Sequence, residues 1–175
     1  MENLGPQQWP ALEKDHAGLE KELKDLLTAR ALGNPYSEDG SFAQNIAALP
    51  RGLRAMAATH WLDISLTLDS ITWHFGNFGD SGLVAETEAG LRELELHDLA
   101  SCFAEAKELM VPLLAKRNEG DGNPYEILEH LGLRDRGDEI DRRSWALDNP
   151  KPDKSVIYEA WVRYARLHPQ HVFVA

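Results

Sequence analysis

This sequence of 175 residues contains one cysteine, Cys102, so it can form neither an internal disulfide nor a cysteine-based metal cluster. It contains no apolar run approaching the roughly 18–20 residues that a membrane-spanning helix requires. Its first residues, MENL, do not lead from a basic stretch into an apolar one, as a secretory signal does. These absences predict a cytoplasmic protein.

Basic residues are scarce in the middle of the chain, and the whole sequence has a net charge of −11. Residues 55–106 hold nine acids and one base, and residues 119–141 hold eight acids and two bases, whereas 142–175 is net +3. The acidic half would repel nucleic acid and attract a basic protein. The basic last segment could neutralise part of this charge within one subunit or across a homodimer, and the sequence leaves both open.

Apolar residues recur at spacings of three and four along most of the chain, which is the pattern of amphipathic helices. The stretch 66–75 also suits a strand because it is rich in β-branched and aromatic residues, but no partner strand is evident. Pro50, Asp98, Asn123 and Asp153 suit helix starts. The spacing predicts helices over residues 11–32, 41–48, 50–64, 66–75, 83–96, 98–113, 123–131, 137–147 and 153–168, a loop at 118–122 and an extended tail at 171–174.

We therefore predict an all-α fold, a single compact domain of six to nine helices spanning residues 1–175. Cys102 lies between apolar residues at helical spacing, which favours a buried side chain over a nucleophile.

The stretch Gly79-Asp80-Ser81-Gly82 matches the tetrapeptide around the nucleophile of chymotrypsin-like proteases. In those proteases the motif lies in one of two β-barrels, and this chain is too short to form both. The residues around the tetrapeptide in this sequence are predicted to be helical. Glycine, aspartate and serine also favour turns for backbone reasons. The match therefore predicts a turn.

A metal site or enzyme centred on His60, Asp63 and His74 is a second alternative function. His60 and Asp63 are three residues apart on a predicted helix, so both side chains could reach one metal ion. Further ligands would have to come from elsewhere, with His74 or Asp69 as candidates. His60 also fits a position beside the core next to Trp61, and we predict no catalytic residue, cofactor or metal.

The residues from 49 to 110 resemble a known domain family. Leu-Pro-Arg-Gly-Leu-Arg at 49–54 leads a helix with His60-Trp61, and Trp73-His74-Phe75-Gly76-Asn77 precedes a glycine-containing turn and an acidic helix. This pattern is similar to the family that contains the nineteen-kilodalton bacterial DNA-mimic protein, and Asp69-Ser70-Ile71 stands where that family has Gly-Gly-Phe. The resemblance implies an all-helical family-like core at about 49–110, followed by a C-terminal helical extension at 123–168. It also implies carboxylates that occupy the DNA site of a DNA-binding regulator.

Four glutamates of the predicted 83–96 helix form two columns, because residues seven apart stack on a helix. Glu86 lies above Glu93 and Glu88 above Glu95, near opposite edges of the apolar face. Duplex DNA carries one charge per roughly 1.7 Å of axis, so mimicry would need other acids on the same surface. The predicted partner-binding residues are Asp63, Asp80, Glu86, Glu88, Glu93, Glu95 and Asp98, with the acids of 119–141 as further candidates.

The leading hypothesis is a non-enzymatic acidic binding protein that engages a basic partner, with DNA mimicry of a regulator as its sharper form. The first alternative is an immunity protein that neutralises a basic toxin. The acids could also serve only to keep the protein soluble.

Overall fold

Nine α-helices make up most of the chain that the computed structural model describes, which is residues 9–115, 122–149 and 154–173. Short 3₁₀ turns at Pro10–Glu13 and Pro169–His171 flank them, and these described ranges contain no β-strand. The predicted single all-α domain and its helix number are therefore confirmed. The helices are α1 (His16–Arg30), α2 (Ser41–Ala47), α3 (Arg51–Leu68), α4 (Ile71–Asn77), α5 (Ser81–Glu93), α6 (His97–Leu114), α7 (Pro124–His130), α8 (Arg134–Asp148) and α9 (Val156–Leu167).

Side-chain caps define several helix starts. The Asn123 amide oxygen accepts from the backbone N–H groups of Tyr125 and Glu126, and Pro124 occupies the first helical position, as predicted. Asp80 accepts from the N–H of Leu83 at 2.9 Å. The Gly79-Asp80-Ser81-Gly82 stretch is therefore the start of α5 rather than the separate turn that was predicted, with Asp80 as the cap and Ser81 and Gly82 already helical.

Helix α3 lies at the centre and packs against α2, α4, α5 and α9. Its contact with α5 is close because Gly90 faces the backbone of Ala55, and a Cβ at Gly90 would lie 2.9 Å from the Ala55 carbonyl oxygen. The Cys102 thiol of α6 donates to the Ile140 carbonyl of α8 at 3.5 Å, and one turn further along both helices Glu105 pairs with Arg143. Helices α6 and α8 therefore run in the same direction. Cys102 is buried, as predicted.

Several predicted boundaries need correction. Pro50 is the residue before α3 rather than its first residue, and α6 begins at His97, so that Asp98 lies in its first turn. The predicted helix over 66–75 is interrupted at 69–70 because the Ser70 hydroxyl caps a new helix by accepting from the N–H of Trp73. Ser155 caps α9, and Asp153 lies outside the described residues, as do 118–121 of the predicted loop. The tail at 171–173 ends a 3₁₀ turn and is not extended, and residue 174 is outside the described part.

Candidate partner-binding surface and buried polar network

Asp63 does not belong to the protein surface. Its side chain lies in the interior of the fold, where it accepts a hydrogen bond from the Ser155 hydroxyl, which comes from the start of α9. The prediction that Asp63 contacts a partner is therefore wrong for this fold. Helical spacing could not show this, because the group that shields Asp63 lies 92 residues further along the chain.

Glu86 and Glu93 stack on one side of α5, as predicted, but they face α3. The guanidinium of Arg54 donates two hydrogen bonds to Glu86, each of 2.5 Å. Glu93 pairs with Arg51 and accepts from the Tyr164 hydroxyl. The side chains of Glu86 and Glu93 are only 15% and 16% exposed. Each charge is thus neutralised within the chain.

Glu88 faces the other way, towards α6. It accepts from Arg92 one turn later and from Lys107 of α6, and its side chain is 15% exposed. Glu95 does not extend this column, because α5 ends at Glu93 and Glu95 has a φ of 62°, which is left-handed backbone. Three of the four glutamates predicted to contact a partner therefore stabilise helix packing.

Asp80 is half-buried as the cap of α5, whereas Glu95 and Asp98 are exposed. The parallel packing of α6 and α8 pairs residues 38 positions apart, as Cys102 with Ile140 and Glu105 with Arg143. The same offset brings the starts of both helices, and so Asp98 and Asp135, to one end of the molecule. We call the exposed carboxylates of Glu95, Asp98 and Asp135 the end patch.

A buried polar network connects α3, α8 and α9. The Tyr158 hydroxyl lies 3.1 Å from His60 Nδ1 and near the Asp63 carboxyl. Burial raises the pKa of Asp63, against the lowering effects of Ser155 and Tyr158. Asp148 lies close by, and burial, followed by repulsion from Asp63, raises the pKa of its carboxyl to about 7. The sequence signals this network only through His60 and Asp63, because the other members come from distant helices.

The predicted third ligand of a metal site lies elsewhere in the core. His74 is fully buried, and its Nδ1 lies 2.9 Å from the Ser65 hydroxyl. Burial lowers the pKa of His74 to about 3, so this imidazole is neutral. Across the described ranges, no three histidine, cysteine or acidic side chains come together in a way that could hold a metal ion.

A second buried network lies around Asp69, Ser70 and Thr72. Asp141 of α8 accepts from the Thr72 N–H at 3.0 Å and from the Thr72 hydroxyl at 2.8 Å. The Tyr125 hydroxyl donates towards Asp69 and lies 2.5 Å from the Ser70 hydroxyl. Asp69 and Ser70 have φ values of −151° and −156°, so the backbone needs no glycine there.

Comparison of the chain with protein-family models, curated proteins and solved structures finds no match. No helix in the described part of the chain is both long and apolar enough to cross a membrane.

Proposed function

We propose that this protein is a non-enzymatic acidic binding protein that engages a basic partner through the end patch. The observation that carries the proposal is the division of its carboxylates. Glu86, Glu88 and Glu93 are consumed by internal ion pairs. The end-patch carboxylates are exposed, and no base within the described residues pairs with them.

Because the internal ion pairs are neutral, the excess negative charge lies on unpaired carboxylates such as the exposed ones of the end patch. Each pair is neutral as a unit, so a net charge of −11 must come from carboxylates outside the pairs. Exposed charges attract a basic surface over about a Debye length, roughly 8 Å at physiological salt. Binding through the end patch should therefore weaken as salt is added.

The resemblance to the DNA-mimic family suggests the chemical class of the partner. A DNA-binding protein offers a basic face that is built to meet phosphates, and carboxylates can occupy such a face. The columns of α5 do not supply this surface, because their glutamates already meet Arg51, Arg54 and Lys107. In this proposal the end patch takes over that role.

The test compares two triple variants that change the net charge equally. Glu95→Gln, Asp98→Asn and Asp135→Asn neutralise the end patch. Glu13→Gln, Glu38→Gln and Glu129→Gln neutralise three exposed carboxylates elsewhere and serve as the matched control.

Each immobilised protein is exposed to native lysate, eluted with a salt ramp and analysed by mass spectrometry. We expect wild type and control to retain the same basic protein, and the end-patch variant to release it at lower salt. Displacement by duplex DNA would support the mimic form, whereas a partner indifferent to duplex would favour the immunity-type alternative. Identical elution from the end-patch variant and the control would overturn the proposal.

A further inference from the structure

A cavity of about 460 Å³ lies between α1, α2 and α3, away from the end patch. Its apolar walls include Leu27, Phe42 and Trp61. The Trp61 and Phe42 rings meet edge to face, with centroids 6.2 Å apart. This volume lies within the range of small-molecule sites, and such sites combine apolar walls with a few placed polar groups.

Three polar side chains line the same cavity: Lys24, Thr28 and His60. The Thr28 hydroxyl already donates to the Lys24 carbonyl at 3.0 Å. The Lys24 ammonium is bonded to Glu20 at 2.7 Å and lies over the Tyr158 ring. Both groups are therefore engaged within the protein, which leaves His60 as the polar group that can select a ligand.

The hydrogen bonds around His60 leave one ring nitrogen for a ligand. Nδ1 lies 3.1 Å from the Tyr158 hydroxyl, so it is engaged within the protein. The other ring nitrogen, Nε2, can donate or accept a hydrogen bond according to the tautomer, and a ligand hydroxyl can do both. Burial, followed by the nearby Lys24 charge, lowers the pKa of His60, so the ring is neutral.

His60 is one of the residues that line the cavity. Because its Nδ1 is engaged by Tyr158 of α9, Nε2 is the ring nitrogen that remains for a ligand.

We propose that this cavity binds a small uncharged aromatic molecule with one hydroxyl group, which forms a hydrogen bond with His60 Nε2. The ring packs against the Trp61 and Phe42 side chains, which contact each other. A charged ligand suits the site less well, because the Lys24 ammonium is already neutralised by Glu20. This site adds a small-molecule ligand to a protein that we propose binds a basic partner elsewhere.

The test uses p-cresol and p-xylene, which have nearly the same shape but differ by a hydroxyl in place of a methyl. Each is titrated into the full-length protein by ¹H–¹⁵N NMR, and the indole signal of Trp61, assigned with Trp61→Phe, reports occupancy. We expect both probes to bind to the wild-type protein. In His60→Phe, the ratio of their dissociation constants should shift against p-cresol by about tenfold, which corresponds to the loss of one hydrogen bond of up to about 1.5 kcal/mol.

Two further variants separate ligand recognition from a folding defect. His60→Gln supplies a side-chain amide that can hydrogen-bond a hydroxyl, and it should keep part of the preference for p-cresol. His130→Phe, an exposed histidine on α7, should leave the ratio unchanged. An unchanged ratio in His60→Phe, or the absence of binding by either probe at millimolar concentration, would overturn the proposal.

Discussion

Asp148 makes the stability of the protein sensitive to pH. Its side chain is buried, and the pKa of its carboxyl is raised to about 7 by burial and then by Asp63. The folded state therefore keeps a proton that the unfolded chain loses near pH 4, so this contribution to stability falls as pH rises from about 4 to 7. The full difference is at most about 4 kcal/mol. We expect Asp148→Asn to flatten that fall, measured as the free energy of urea unfolding at pH 5, 7 and 9.

The matched control for this prediction is Asp135→Asn, which changes an exposed carboxyl on the same helix. Its pH profile should run parallel to that of wild type. If Asp148→Asn also gives a parallel profile, then Asp148 does not retain its proton in the fold.

His74 has the opposite effect on acid stability. Because burial lowers the pKa of its imidazole to about 3, the folded state stays neutral where the unfolded chain gains a proton below about pH 6.5. This stabilisation is present above pH 6.5 and is lost as pH falls towards 3. Between pH 6.5 and 5 the loss is about 2 kcal/mol. We expect His74→Gln to gain about that much relative to wild type over this interval, in the same unfolding measurement.

The exposed His130 provides the comparison for His74. His130→Gln should follow the wild-type profile between pH 7 and 5. A constant difference between His74→Gln and wild type at all pH values would mean that His74 becomes protonated inside the fold.

At single positions, the sequence predicted apolar burial better than polar burial. The apolar neighbours of Cys102 at helical spacing indicated correctly that it is buried. The same spacing gave no sign that Asp63 is buried, because a carboxylate is tolerated inside only where distant donors reach it. For Asp63 the donor is the Ser155 hydroxyl, 92 residues further along the chain.

At the level of helices, the packing of α3 against α5 depends on Gly90. A Cβ there would lie 2.9 Å from the Ala55 carbonyl oxygen and 3.2 Å from Thr59 Cγ2, and the backbone carbonyl cannot move without displacing α3. We expect Gly90→Ala to lower the free energy of unfolding by about 1–3 kcal/mol despite the better helix propensity of alanine. Urea denaturation followed by circular dichroism measures the change.

A surface substitution on α3 controls for helix propensity. Thr67 is exposed, so Thr67→Ala should change stability by less than about 0.5 kcal/mol. A Gly90→Ala protein as stable as wild type would show that the two helices can separate slightly without cost.

Helices were predictable because apolar spacing and capping residues are local signals. The break between α3 and α4 was missed, since the apolar pattern continues through it while the Ser70 cap acts on the backbone. The partners of the α5 glutamates were not predictable. Helical spacing placed Glu86 and Glu93 together, but only the packed fold shows that Arg51 and Arg54 of α3 face them.

For the whole molecule, the last described helix contributes to the interior. Helix α9 packs against α1 and α3, and its Ile157, Ala160 and Trp161 are fully buried. The Trp161 indole also donates to the Thr59 hydroxyl at 3.0 Å. The sequence predicted the helix, but its place between α1 and α3 follows from contacts across more than 90 residues.

A chain that ends at residue 149 should therefore lose cooperative unfolding. Without α9, the apolar faces of α1 and α3 would meet water, and a buried tryptophan alone covers about 150–250 Å². Asp63 would also lose the hydroxyl donor of Ser155. Calorimetry should show a sharp transition for the full chain and none for the shortened one.

The full-length variant Trp161→Phe should keep a sharp transition at a lower temperature, because it loses the bond to Thr59 and leaves a gap. A shortened chain that melts cooperatively at the wild-type temperature would instead show that the helices before residue 149 fold without α9.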